Sequence, residues 1–124
     1  MNNFFLYAAR DSQILRWLEH FLSKIHPDGM LITLPPGSQF TSPLCLQLRS
    51  NDILILFAQD EEEINDLLAL RDEYESFRIL LVMKNQLQIS GSKYPLLTPR
   101  FVFYLDSNMD DLPGYLKNLL DNNR

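Results

Sequence analysis

Four consecutive acids, Asp60, Glu61, Glu62 and Glu63, follow the apolar run in "DILILFAQDEEE". Carboxylates gathered at the end of a buried strand could bind a divalent cation or accept a phosphoryl group. Asp11 and Asp106 also follow apolar runs, "FFLYA" and "FVFYL", so Asp11, Asp60 and Asp106 form a candidate magnesium set. Local structure explains the same residues more economically. Asp60 stands where a helix N-cap belongs, and Glu63 follows three residues later, a capping-box pattern with Asp as the cap. Glu61 and Glu62 then lie in a first turn, where the helix dipole favours negative charge.

Other reactive side chains are sparse. His20 falls on the outer face of a first helix and His26 at its end, and neither has a triad partner by spacing. Cys45 is the single cysteine, among leucines in "PLCLQL", so no intrachain disulfide or cysteine-based zinc site can form. No Walker loop or GxGxxG occurs. The turn "AARDS" after the first strand lacks the glycine of a phosphate-holding loop. "PPGSQFTS" reads as turn chemistry before anion binding. No cofactor is expected.

The chain has 124 residues, 46% of them hydrophobic and 22% charged, which fits one globular domain over 1–124. Its net charge is -5, and its 11 Lys and Arg are scattered. Phosphate backbones and anionic membranes select clustered cations, so neither nucleic acid nor a membrane surface is an expected partner. "MNNFFLYAARDS" has no basic segment before its apolar run, unlike a signal peptide, and no apolar stretch approaches a membrane span. The expected location is cytoplasmic.

Unbroken apolar runs predict strands buried on both faces at Phe4–Ala8, Met30–Leu34, Ile53–Ala58, Arg78–Met83 and Phe101–Leu105. Asp11 or Ser12 caps a first helix, in which Ile14, Leu18, Phe21 and Ile25 recur at helical spacing beside Leu15 and Leu22. Trp17 sits about 80° from the centre of that stripe. Packing at the helix edge is its ordinary role, and a partner-facing anchor the sharper one. Ser42 and Pro43 favour a short second helix, although 44–50 also alternates like a strand. A third helix carries Ile64, Leu67, Leu68, Tyr74 and Phe77 on one period. Residues 84–100 hold one Gly and two Pro, which predicts a reduced or absent fourth helix. Leu116, Leu119 and Leu120 suggest a final short helix. Strands alternating with amphipathic helices imply an α/β three-layer sandwich. The expected sheet is parallel and doubly wound, five strands in the order 2-1-3-4-5, as in flavodoxin-like proteins.

The order of elements, and above all "LRSNDILILFAQDEEEINDLLALRDEYESFRILLVMK", resembles the receiver domain of bacterial two-component response regulators. The resemblance implies four catalytic positions, and the chain departs from the pattern at each. Ala8 and Ala9 stand for the acidic pair, and Phe57 or Ala58 for the phosphoacceptor Asp. Met83 and Lys84 stand for the Ser or Thr, and Leu105 and Asp106 for the Lys. Without acids there is no magnesium site, and without Lys and hydroxyl the phosphoryl charge has nothing to move. The implied protein is a pseudo-receiver: not an enzyme, not phosphorylated, and acting in signalling or regulation through a protein partner. Receivers often pair on the side of the fourth helix and fifth strand. Tyr94, Leu96, Leu97 and Phe101 on that side, with Trp17, form a candidate interaction surface, and a weak homodimer is an expected consequence. The alternative is a flavodoxin-like protein binding a small molecule or metal at the carboxyl edge of the sheet.

Overall fold

The central strand explains the architecture. In β3 (Ile53–Ala58) every residue is buried, so both of its faces need cover. A computed structural model describes residues 4–25, 31–33, 53–74, 78–84, 93–97, 99–105, 111, 112 and 114. Within them run β1 (Phe4–Ala8), α1 (Gln13–Ile25), β2 (Leu31–Thr33), β3, α2 (Glu61–Leu68), α3 (Arg71–Tyr74), β4 (Arg78–Met83), a 3-10 turn (Tyr94–Leu97) and β5 (Phe101–Tyr104). The five strands form one parallel sheet in the order β2-β1-β3-β4-β5.

Strand alternation divides the core into two layers. Phe4, Leu6, Ala8, Ile55, Phe57 and Val82 face α1 and pack with its Leu15, Leu18 and Leu22, joined by Leu112. Phe5, Tyr7, Leu56, Ala58, Leu81 and Met83 face the other way, against Ile64 and Leu67 of α2 and Leu97. The sheet is thus sandwiched, as the unbroken apolar runs require.

The helix starts follow local chemistry. Leu15 N–H donates to Ser12 Oγ at 3.1 Å, so Ser12 caps α1. Glu63 N–H donates to Asp60 Oδ1 at 2.9 Å, so Asp60 caps α2 from an extended backbone.

One expectation changes. The helix expected to run on to Phe77 is broken into α2 and α3. Leu70 N–H donates to Leu67 O at 3.0 Å, an i→i+3 bond that tightens the chain and ends the α-helical ladder. Between β4 and β5 the described residues hold only the 3-10 turn. The helix-or-strand alternative at 44–50, the segment 85–92 and the final-helix residues Leu116, Leu119 and Leu120 lie outside the described residues, as do Cys45, His26 and Asp106. Among the described residues no helix is long and apolar enough to cross a membrane.

Candidate functional site

In an open parallel sheet, sites form beyond the carboxyl ends of the strands. Register aligns those ends here. Ala8 pairs with Phe57, Ala58 with Met83, and Met83 with Tyr104. Ala8, Phe57 and Ala58 are fully buried and Met83 nearly so. Where a receiver exposes acids to water and magnesium, this edge presents closely packed apolar side chains.

Just beyond that row, charge is arranged to hold the helix. Arg10 Nη2 reaches Glu62 Oε1 at 2.7 Å and Asp66 Oδ2 at 3.1 Å. The hydrogen bond and charge of Glu62 hold Arg10 further toward its charged form. Glu62 and Asp66 are one helical turn apart, so a single guanidinium ties the end of β1 to the first turns of α2. This pairing is solvent-exposed and contributes modestly to stability. Lys93 N–H donates to Glu61 Oε1 at 2.7 Å, linking the start of α2 to the segment before β5.

Glu63 is the one buried charged residue among the described residues, at 3% exposure. Its Oε2 accepts from Gln59 N–H at 3.2 Å, while Oε1 has no partner among the described residues. Burial pushes its carboxyl above the ordinary value. The Gln59 hydrogen bond opposes that, Asp60 and Asp66 add to it, and Arg10 opposes it. The folded chain therefore holds a proton on Glu63 more readily than the unfolded chain does. Its contribution to stability is greatest below the unfolded value and is lost as pH rises through the folded one. Glu63→Gln keeps an acceptor for Gln59 and removes the buried charge. We expect it to be more stable than the parent at neutral pH, by on the order of 1 kcal/mol, with that difference fading in acid. Denaturant unfolding across the acid-to-neutral range checks this; a variant clearly weaker at neutral pH would contradict it.

Of the candidate magnesium set, Asp106 lies outside the described residues, and the other two acids have local partners. Asp11 accepts from Ser12 N–H at 2.9 Å and pairs with Arg16 at 3.1 Å, and Asp60 is spent on its cap. No group of three potential metal ligands comes together among the described residues. Asp60 caps α2, and Glu61, Glu62 and Glu63 form its first turn.

Trp17 is 51% exposed, so it belongs to the surface rather than to the core. It stacks on Phe21 with ring centroids 5.3 Å apart and planes 19° from parallel. A surface groove of about 450 Å³ runs beside it, lined by Gln13, Ile14, Trp17, Lys84 and Leu105. Near β5, Leu96 and Phe101 are 54% and 42% exposed. Leu97 is corrected: it is fully buried against the α2 layer and leaves the candidate surface. The 3-10 turn aims neighbouring Leu96 and Leu97 in different directions. The Tyr94 backbone opens that turn, and its side chain is outside the described set.

Sequence reasoning missed Arg10, Lys84 and the burial of Glu63. The signal for Arg10 was a lone cation directly after a buried strand, facing the acidic first turn of the helix after the neighbouring strand. Lys84 was noted only as a substitute for a missing hydroxyl.

No protein-family model matches the chain, and no curated protein matches it. A solved structure does. It is a candidate pilus assembly-related protein from Burkholderia pseudomallei, 18% identical, with a TM-score of 0.58 over 96% of this chain and 89% of that one. At that identity the likeness speaks to fold alone. Together with the all-parallel 2-1-3-4-5 sheet and its interleaved helices, it makes this chain a flavodoxin-like α/β protein.

Proposed function

We propose that the chain is a receiver-like module without the phosphorylation switch, acting as a non-enzymatic protein-interaction unit in signalling or regulation. One observation carries the reading: the row Ala8, Phe57, Ala58 and Met83 is buried at the carboxyl edge, where aspartyl phosphorylation needs exposed acids. Arg10, bound to Glu62 and Asp66, occupies the mouth of that edge with a fixed cation instead. Pilus assembly, named for a solved structure of similar fold, is one setting in which such a module would serve.

Incubation with magnesium and acetyl phosphate tests this. The expected intact mass is unchanged. A stoichiometric gain of one phosphoryl group, mapped to Asp60 or another acid of this edge, would sink the reading.

Phe101, which opens the edge strand β5, and Leu96 just before it are half-exposed and favour weak self-association on that side. Sedimentation velocity over a concentration series is expected to reveal a monomer–dimer equilibrium that Phe101→Glu weakens. A pure monomer at the highest concentration would remove the dimer.

A further inference from the structure

The Trp17 groove has a chemical character that narrows what can sit in it. Ile14, Trp17 and Leu105 give it an apolar lining. Phe21, stacked behind Trp17, holds the indole as a firm platform. Leu105 N–H donates to Met83 O at 3.0 Å, which fixes Leu105 next to Lys84 across the β4–β5 pair. Lys84 is exposed and makes no ion pair among the described residues. The other cations at this edge are engaged: Arg10 with Glu62 and Asp66, and Arg16 with Asp11 and Glu19. Among the described residues the groove thus offers an aromatic platform, an aliphatic floor and one positive charge outside any ion pair.

Its complement is an apolar side chain beside a carboxylate. Small-molecule pockets enclose most of their ligand, whereas this groove is a surface trough. That shape suits a segment of polypeptide, which brings its own flanking contacts. A nucleic acid is disfavoured by a groove with one cation among its described lining residues, on a chain of net charge -5.

We propose that the groove docks a segment of a partner protein in which an acidic side chain adjoins a leucine-like or aromatic anchor. The anchor packs on Trp17 and Leu105, and the carboxylate pairs with Lys84 Nζ. This deepens the interaction-module reading and rests on it.

The test is selection from a displayed random-peptide library on the full chain, followed by titration of synthetic copies of the enriched peptides. Trp17 is the chain's single tryptophan, so its fluorescence reports the groove directly. Enriched peptides are expected to share an acid next to an apolar residue and to give a saturable Trp17 signal. Lys84→Glu should weaken them about tenfold or more, and should bind better the copy in which Lys replaces the acid. Both Lys84 and Trp17 are exposed, and circular dichroism melts of Lys84→Glu and Trp17→Ala establish that the variants stay folded. No enrichment, enrichment without an acid, or affinity indifferent to Lys84→Glu overturns the proposal. So does saturable binding of 4-methylpentanoate alone with no enriched peptide, which would make the occupant a small carboxylate. Acetyl phosphate labelling of the same sample separates the two levels. Unchanged mass with no peptide binding discards the groove and leaves the module reading; phosphoryl gain discards the module reading itself.

Discussion

Ala58→Asp is expected to destabilise the chain by about 3–5 kcal/mol at neutral pH, and to leave it unable to take a phosphoryl group. The substitution puts a carboxylate at the end of the central strand, one of the two places, Phe57 or Ala58, that the resemblance to receivers gives for a phosphoacceptor. Here Ala58 is fully buried, pairs with Met83, and packs in the layer formed by α2. Its neighbours there are apolar, and Arg10, a cation beyond the strand end, is already bound to Glu62 and Asp66. A carboxylate at that place loses water and gains no new partner. Burial pushes its carboxyl upward, so the cost is full above the raised value and fades as pH falls toward the ordinary carboxylate range. Urea unfolding at neutral and mildly acid pH checks both size and sign. A loss below about 1 kcal/mol, or one that does not change with pH, would mean the edge is open and the account of it mistaken.

The second large effect is on the opposite face of the same strand. Phe57→Ala is expected to cost about 3–5 kcal/mol, independent of pH. Phe57 is fully buried between Ala8 and Val82 in the strand register and packs in the layer that includes Leu15, Leu18 and Leu22 of α1. Removing the ring leaves a cavity that the rigid central strand cannot close. The pH comparison separates it from Ala58→Asp: one substitution empties volume, the other buries charge. A Phe57→Ala midpoint within about 1 kcal/mol of the parent would show that the α1 layer is loosely packed.

What the sequence made legible depended on how local the cause was. β1, β3 and β4 were readable residue by residue, because strands covered on both faces are unbroken apolar runs. The Asp60 cap was readable because its partner lies three residues away. Glu63 was half-readable. Its capping role was legible, but its carboxylate goes to Gln59, and its burial depends on how α2 lies on the sheet. The α2–α3 break was hidden, because the apolar period continues through it while a single Leu70–Leu67 hydrogen bond ends the helix. Leu97 was misread because "YPLL" carries no period, and a 3-10 turn decides which leucine enters the core. Arg10 needed the strand order first. Only with β1 beside β3 does the residue after one strand meet the helix that follows the other.

The central claim, a receiver-like fold whose edge cannot be switched by a phosphoryl group, is tested most directly by the amide NMR spectrum titrated with magnesium and beryllofluoride. Beryllofluoride imitates an aspartyl phosphate without a chemical step, so it reads binding and conformational response together. The account predicts small, linear, unlocalised shifts from ionic strength alone, with the resonances of Ala8, Ala58, Lys84 and Leu105 otherwise unmoved. Saturable shifts centred on Asp60 and spreading to Lys84 and Leu105 would contradict it, because they would mean that the acids capping α2 hold a metal and drive a switch.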